Sequence, residues 1–140
     1  MEIIITIKNA DELTNSKSRK SEKGTEASVS QYARIFDDSC PAWNRDAEYN
    51  LLFLKEQQTF ATDLLRSRGY LFLNEVYDML GFPRSKAGQV VGWVYDEKNP
   101  IGDNKVDFRI FDERNSLFVN GYERSVLLDF NVDGCILDKI

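Results

Sequence analysis

A chain of 140 residues with 42% hydrophobic and 12% aromatic side chains can bury a core, which excludes disorder of the whole chain and predicts a single domain. Its formal net charge of −5 has the wrong sign for extensive, sequence-independent binding of nucleic acid. With no apolar run near about 18 residues and no signal-peptide pattern in Met1–Lys8, we expect a cytoplasmic protein with no membrane partner.

Residues 1–44 are predicted to contain a strand, a loop and a short helix. Met1–Lys8 is rich in isoleucine, whose β-branched side chain favours strands. Thr14–Ala27 has no large apolar residue, which indicates a solvated loop; its Lys and Arg residues leave a basic finger that contacts phosphates or an acidic partner as the functional alternative. Ser28 is a candidate N-cap for a helix that would end near Ser39.

Residues 45–81 are predicted to be helical. Apolar residues recur at helical spacing through Arg45–Arg68, where Leu52 and Phe60 widen the apolar stripe that would face the core. The asparagine before this segment is the predicted N-cap, and the glycine after it is where the helix should end. A second, shorter helix is predicted over residues 71–80, because apolar side chains align there and a glycine and a proline follow.

Residues 88–140 are predicted to be rich in β-structure. A strand predicted over residues 89–95 contains Gly92, which indicates a bulge or a close backbone contact. Alternation of apolar and polar side chains predicts another strand over residues 105–111. A further short strand is expected at residues 116–119.

Two dipeptides, Asn120-Gly121 and Asp133-Gly134, have the composition of two-residue hairpin turns. Between them, residues 125–132 alternate apolar with polar side chains, and only Leu127 breaks the pattern. We therefore predict a half-buried antiparallel strand with a hairpin at each end. The segregation of helices and strands along the chain predicts an α+β fold, with one long and two short helices packed on a mainly antiparallel sheet of about five or six strands.

The stretch Asp129–Gly134 matches the first half of a calcium-binding loop, D-x-N-x-D-G, but the twelfth position is Ile140 instead of the glutamate that such loops need. In a strand, Asp129, Asn131 and Asp133 would share a solvent-exposed face without surrounding an ion. The hairpin interpretation is therefore preferred, and we predict no metal and no cofactor.

The residue types of common catalytic sites are scarce. The absence of histidine excludes imidazole metal ligands and Ser-His-Asp triads. Cys40 lies beside Asp37 and Asp38, whose charges raise a thiol pKa and make Cys40 a poor nucleophile. Cys40 and Cys135 are expected to be reduced thiols. Catalysis by paired carboxylates is the weakest alternative, because acids at turns are usually solvated, and we expect no enzymatic activity.

A protein-binding surface is the favoured interpretation. Trp43 lies in an irregular segment and is the best candidate for an interface anchor, although a core position is more common for tryptophan. Residues 96–140 hold ten acidic and six basic side chains. The predicted partner-binding residues are Trp43, Asp103, Asp107, Asp112, Glu113 and Glu123. A winged-helix-like DNA-binding regulator is an alternative. The acidic charge of its predicted wing argues against this alternative. Its phosphate contacts would be Arg66, Arg68, Arg84 and Lys86.

Four parts of the chain carry distinctive strings: RGYLFLNEVYDMLG at residues 68–81, AGQVVGW at 87–93, GDNKVDF at 102–108, and FVNG followed by LLDFNVDG within 118–134. Together they resemble an uncharacterised family found in bacteriophages and in integrative or conjugative elements of Gram-positive bacteria. The resemblance covers roughly residues 51–140 and does not extend to residues 1–44. It implies no activity, only a small soluble protein of a mobile element inside a bacterium.

These observations lead to one functional expectation and one principal alternative. We expect a non-enzymatic, acidic accessory protein that binds another protein, in its most specific form an anti-defence inhibitor that occupies the nucleic-acid channel of a host nuclease. The alternative is an assembly or structural accessory protein that forms homo-oligomers.

Overall fold

The computed structural model describes residues 29–140; the predicted strand Met1–Lys8, the loop Thr14–Ala27 and the N-cap Ser28 lie outside the described residues. The elements in chain order are β1 (Arg34–Phe36), α1 (Ala47–Arg68), β2 (Tyr70–Phe72), α2 (Leu73–Leu80), β3 (Val91–Val94), α3 (Ser116–Val119), β4 (Val126–Leu128) and β5 (Gly134–Cys135). Single 3-10 turns occur at Ala87–Gln89, Glu113–Asn115 and Leu137–Lys139. Three helices and two small antiparallel sheets in this part of the chain confirm the predicted α+β class.

The strands form two sheets instead of one sheet of five or six strands. One sheet pairs β1 with β4, with Arg34 opposite Leu128. The other has the order β2-β3-β5, with Gly92 of β3 opposite Gly134 of β5. All pairings within residues 29–140 are antiparallel, yet neither predicted C-terminal hairpin exists, because β4 and β5 each pair with a strand from much earlier in the chain.

The two dipeptides have left-handed glycines, as predicted, but in other settings. Gly121 (φ 86°) ends α3, and its N–H donates to the Phe118 carbonyl at 3.0 Å. Helix ends and hairpin turns both favour a glycine in this conformation, so the dipeptide alone does not distinguish them. The strand predicted at residues 116–119 is therefore wrong, and this segment is α3. Gly134 (φ 108°) is the first residue of β5.

The long helix α1 confirms the prediction for residues 45–68. Its N-cap is Asp46, whose carboxylate accepts the Glu48 N–H at 3.0 Å, and not the predicted Asn44. Gly69 (φ 95°) ends the helix, and its N–H donates to the Leu65 carbonyl at 2.7 Å. The helix buries one face, on which lie Asn50, Leu54, Ala61 and Leu65.

The two predicted short helices fare differently. Residues 71–80 are helical only from Leu73, because Tyr70–Phe72 forms β2. The helix predicted to start at Ser28 is wrong within the described residues: a turn is followed by β1, which ends at Phe36. The apolar spacing of this segment also fits a short strand. Pairing with β4 satisfies the backbone hydrogen bonds of that strand, whereas a short isolated helix is only marginally stable.

Both faces of β4 are buried, and this explains the residue that breaks the alternation. Val126 and Leu128 join the main core, which also contains Trp93, Tyr77 and Phe108. Leu127 points the other way, into a second, small apolar cluster. That cluster contains Ala33, with Val29 and Ile35 packed against it. The break in the pattern therefore marks a second buried face.

Residues 105–111 are buried at alternate positions but are not a strand. Their backbone is held by side chains of other segments. On α1, Thr62 Oγ1 accepts the Val106 N–H at 3.1 Å and Gln58 Oε1 accepts the Phe108 N–H at 2.7 Å. The predicted alternation is thus correct, whereas the predicted sheet partner is replaced by polar side chains of a helix. No helix among the described residues has the length and apolar character needed to cross a membrane.

Candidate functional site

Asn131 is the organising residue of the C-terminal segment. It is 7% exposed, and its side chain uses its full hydrogen-bonding capacity. The Oδ1 atom accepts the Trp93 indole N–H at 2.8 Å and the Asp107 backbone N–H at 2.7 Å. The Nδ2 atom donates to Asp103 Oδ2 at 3.0 Å and to the Lys105 carbonyl at 3.1 Å. Asn131 thereby fastens residues 103–107 onto the β3 side of the core.

Asp129 is buried more deeply and is bonded less completely. The residue is 4% exposed, and its Oδ2 atom accepts the Ser30 N–H at 3.3 Å. The second oxygen, Oδ1, is buried without a hydrogen-bond partner among residues 29–140. An unpaired buried acceptor of this kind costs about 1 to 3 kcal/mol of stability.

Asp133 completes the D-x-N-x-D pattern. Its Oδ2 atom accepts the Val94 N–H at 2.9 Å, which connects it to the end of β3. Burial raises the pKa of the Asp133 carboxyl, and the neighbouring charge of Asp103 raises it further. The expectation that Asp129, Asn131 and Asp133 share a solvent-exposed strand face is therefore wrong. They line one cleft together with residue 30 and the segment 101–109, and Asp129 and Asn131 are buried.

These residues line an open cleft of about 520 Å³. We name it the Asp129 cleft and define it by Ser30, Asp103, Arg109, Asp129, Asn131 and Asp133. Three of the six are acidic and one is basic, so the formal charge of this set is negative.

The acids of the Asp129 cleft are not arranged as metal ligands. No three Asp, Glu, Cys or His side chains among residues 29–140 approach one another closely enough to hold an ion. The amide oxygen of Asn131, a ligand in calcium loops, is already occupied by two N–H donors.

The remaining predicted acids do not form one cluster. Asp107 and Asp112 line a second cleft of about 480 Å³, together with Lys105 and Arg109. Both accept local bonds: Asp107 from the Arg109 N–H at 2.7 Å, and Asp112 from the Arg114 guanidinium at 3.0 Å. The hydrogen bond from Arg114 lowers the pKa of the Asp112 carboxyl. Glu113 and Glu123 are exposed and line neither of the two clefts.

Trp43 packs against the core and is half-buried. Its indole N–H donates to the Arg124 carbonyl at 3.1 Å, and the Arg124 guanidinium lies over its ring, 5.8 Å from the centroid. Of the basic residues considered for phosphate contacts, Arg68 and Arg84 form ion pairs at 2.6 Å with acids on α2.

The two cysteines are free and differ in accessibility, which makes a testable prediction. Burial raises the pKa of the Cys40 thiol, and the charges of Asp37 and Asp38 add to the rise, in the direction predicted. We expect exposed Cys135 to react with a disulfide reagent such as DTNB in the native protein, and Cys40 to react only after unfolding in urea. The Cys135→Ser variant isolates Cys40, and rapid native labelling of that variant would contradict the prediction.

One exposed apolar surface is not predicted by the sequence. Leu52 (53% exposed) and Phe60 (55% exposed) lie on α1, where they were predicted to widen the buried stripe. They lie instead on the side away from the core, beside Lys55, Glu56 and Asp63. We name these five residues the α1 outer face. Since both faces of α1 carry large apolar residues, periodicity alone could not separate the face that packs from the face that is exposed.

Comparison with known proteins places the chain in a family but does not give it an activity. The model of a family of unknown function, DUF6353, matches residues 5–140. This match includes most of residues 1–44, to which the sequence resemblance did not extend. Comparison with curated proteins and with solved structures gives no match in either case. Because the match spans nearly the whole chain, the protein belongs to the family of unknown function DUF6353.

Proposed function

We propose that this protein is a non-enzymatic accessory protein of a bacteriophage or mobile element that binds a basic protein partner through the α1 outer face. The observation that carries the proposal is the exposure of Leu52 and Phe60 on a helix whose opposite face already fills the core. Large apolar side chains surrounded by polar residues are typical of the centre of a protein–protein interface.

The charge around this apolar centre indicates the kind of partner. Glu56 and Asp63 outnumber Lys55 on the α1 outer face. Residues 29–140 hold eighteen acidic and thirteen basic side chains, so the entire formal net charge of −5 lies in the described part of the chain. A partner surface with an apolar or aromatic centre and a basic rim would complement this pattern.

Channels that bind single-stranded nucleic acid have such surfaces, because they combine positive charge with aromatic side chains on which bases stack. A protein that presents acids around a phenylalanine can therefore occupy such a channel in place of the nucleic acid. This supports the anti-defence version of the proposal, in which the partner is a host nuclease.

The proposal is tested by affinity capture on the immobilised full chain. A lysate of a Gram-positive bacterium is first freed of nucleic acid, and retained proteins are identified by mass spectrometry. We expect enrichment of nucleic-acid-binding proteins, competition by added DNA, and at least about tenfold weaker capture by the Leu52→Ser/Phe60→Ser variant. The Leu117→Ser/Tyr122→Ser variant removes two other exposed apolar residues and serves as the matched control.

Two results would contradict the proposal. One is capture that the Leu52→Ser/Phe60→Ser change leaves intact. The other is a dimer in sizing chromatography that dissociates on the same change, because this result would assign the α1 outer face to self-assembly.

A further inference from the structure

The Asp129 carboxylate is an exception in a part of the molecule where polar groups are otherwise bonded. Its neighbour Asn131 pairs every donor and acceptor of its side chain. Asp129 Oδ1, in contrast, is buried without a partner among residues 29–140. Such atoms are rare in native proteins, and strain, a functional role, and a bound water or ion are the established explanations. Asp129 lines the cleft, but its Oδ1 atom has almost no accessible surface, so a ligand in the cleft supplies that donor once the carboxylate, which accepts one bond of 3.3 Å from Ser30, turns toward it.

The other groups of the cleft indicate that this donor is cationic. Asp103 and Asp133 line the same cleft, and neither forms an ion pair with any residue from 29 to 140. Arg109 is the single basic residue that defines the cleft, and it forms no ion pair with these acids in the same part of the chain. A ligand that enters therefore meets three carboxylates and one guanidinium.

The placement of the acceptors favours a fork of donors over a metal ion. The acids are too dispersed to share one ion, and one oxygen each of Asp103 and Asp133 already accepts a hydrogen bond. A guanidinium group carries five N–H donors in a rigid plane and can reach separate carboxylates at once. An ammonium group concentrates its donors at one point, and a calcium ion needs six or more oxygens around it.

We propose that the Asp129 cleft binds a guanidinium group, which donates to the unpaired Asp129 Oδ1 while Asp103 and Asp133 compensate its charge. The group can belong to an arginine side chain of a protein partner or to a free small molecule. The Asp129 cleft shares no residue with the α1 outer face, so this site can be tested independently of the function proposed above.

The test is an NMR titration of the full chain with defined probes. The reporters are the Ser30 amide, which donates to Asp129, and the Trp93 indole N–H, which donates to Asn131. The probes are ethylguanidinium, a capped Gly-Arg-Gly peptide, its citrulline isostere, ethylammonium and calcium chloride. We expect saturable shifts with the guanidinium probes and none with the uncharged citrulline peptide.

Variants assign the binding to the cleft. Asp129→Asn is expected to weaken guanidinium binding at least about tenfold, since it removes the charge of the buried acceptor. Arg109→Gln is expected to strengthen binding, because it removes the one cation that competes for the same acids. If Asp129→Asn does not fold, Asp103→Asn replaces it, since an amide oxygen can still accept the bond from Asn131.

The probes also distinguish the sources of the ligand. Shifts with both ethylguanidinium and the arginine peptide support an arginine of a protein partner, and shifts with ethylguanidinium alone support a free molecule. Equal binding of the citrulline peptide, stronger shifts of the same reporters with calcium, or no saturable shift with ethylguanidinium would each overturn the proposal.

Discussion

Replacing Asn131 with alanine is expected to lower the free energy of unfolding by about 3 to 5 kcal/mol. The change leaves two N–H groups without acceptors, the indole of Trp93 and the backbone of Asp107. Each buried donor that loses its partner costs about 1 to 3 kcal/mol, and the deleted amide also leaves a void. Urea unfolding followed by circular dichroism measures the loss.

Asn99→Ala is the matched control, because Asn99 is exposed and its side chain has no hydrogen bond among the described residues. Its effect should stay within about 0.5 kcal/mol. An Asn131→Ala variant as stable as this control would show that Asn131 does not fasten residues 103–107 to the core.

The Asn131→Asp variant tests the role of the amide NH2 group separately from that of the amide oxygen. It keeps an oxygen for Trp93 and Asp107 but places a carboxyl next to Asp103 in a buried site. Burial and the like charge raise the folded-state pKa of the introduced carboxyl above its unfolded value. A group whose pKa is raised on folding favours the folded state at low pH and loses that contribution as the pH rises. We therefore expect this variant to be closer to wild type in stability near pH 4 than near pH 7.

The sequence predicts those parts of the fold that short-range physics determines. The helix α1 has an apolar stripe and a terminal glycine, both of which are local signals, so its predicted extent is correct to within two residues, although its N-cap is Asp46 and not the predicted Asn44. The pairing of β1 with β4 joins residues 90 to 94 positions apart, and no local signal identifies the partner. For this reason the turn dipeptides predict hairpins that do not form.

In the candidate site, too, local features are predictable from the sequence and long-range contacts are not. The D-x-N-x-D string is visible in the sequence, and its three polar residues do line one cleft. Whether these residues are solvated depends on residue 30 and the segment 101–109, which Asn131 and Asp129 bind through hydrogen bonds spanning 24 to 99 positions. Leu127 is the local sign that was available, since an apolar residue on the supposedly polar face indicates that this face is also covered.

Replacing Gly92 with alanine is expected to lower the free energy of unfolding by about 3 kcal/mol or more, or to prevent folding. Gly92 lies in β3, the central strand of its sheet, and a Cβ atom built there overlaps the Leu71 carbonyl oxygen of β2. This confirms the close backbone contact predicted for Gly92. Backbone atoms cannot move aside as a side chain can, so the strand pairing itself must open.

The consequence extends beyond one contact, because Gly92 pairs with β2 on one side and with Gly134 of β5 on the other. The Gly92 carbonyl also accepts the Asp133 N–H at 2.8 Å, so displacement of β3 would disturb the Asp129 cleft. Thermal unfolding and amide hydrogen exchange measure the effect, and exchange should accelerate most in β2, β3 and β5. The Gly121→Asn variant is the control, since Gly121 has open space around it and asparagine tolerates its positive φ. Equal stability of the two variants would mean that β2 and β3 do not approach as closely as Gly92 allows.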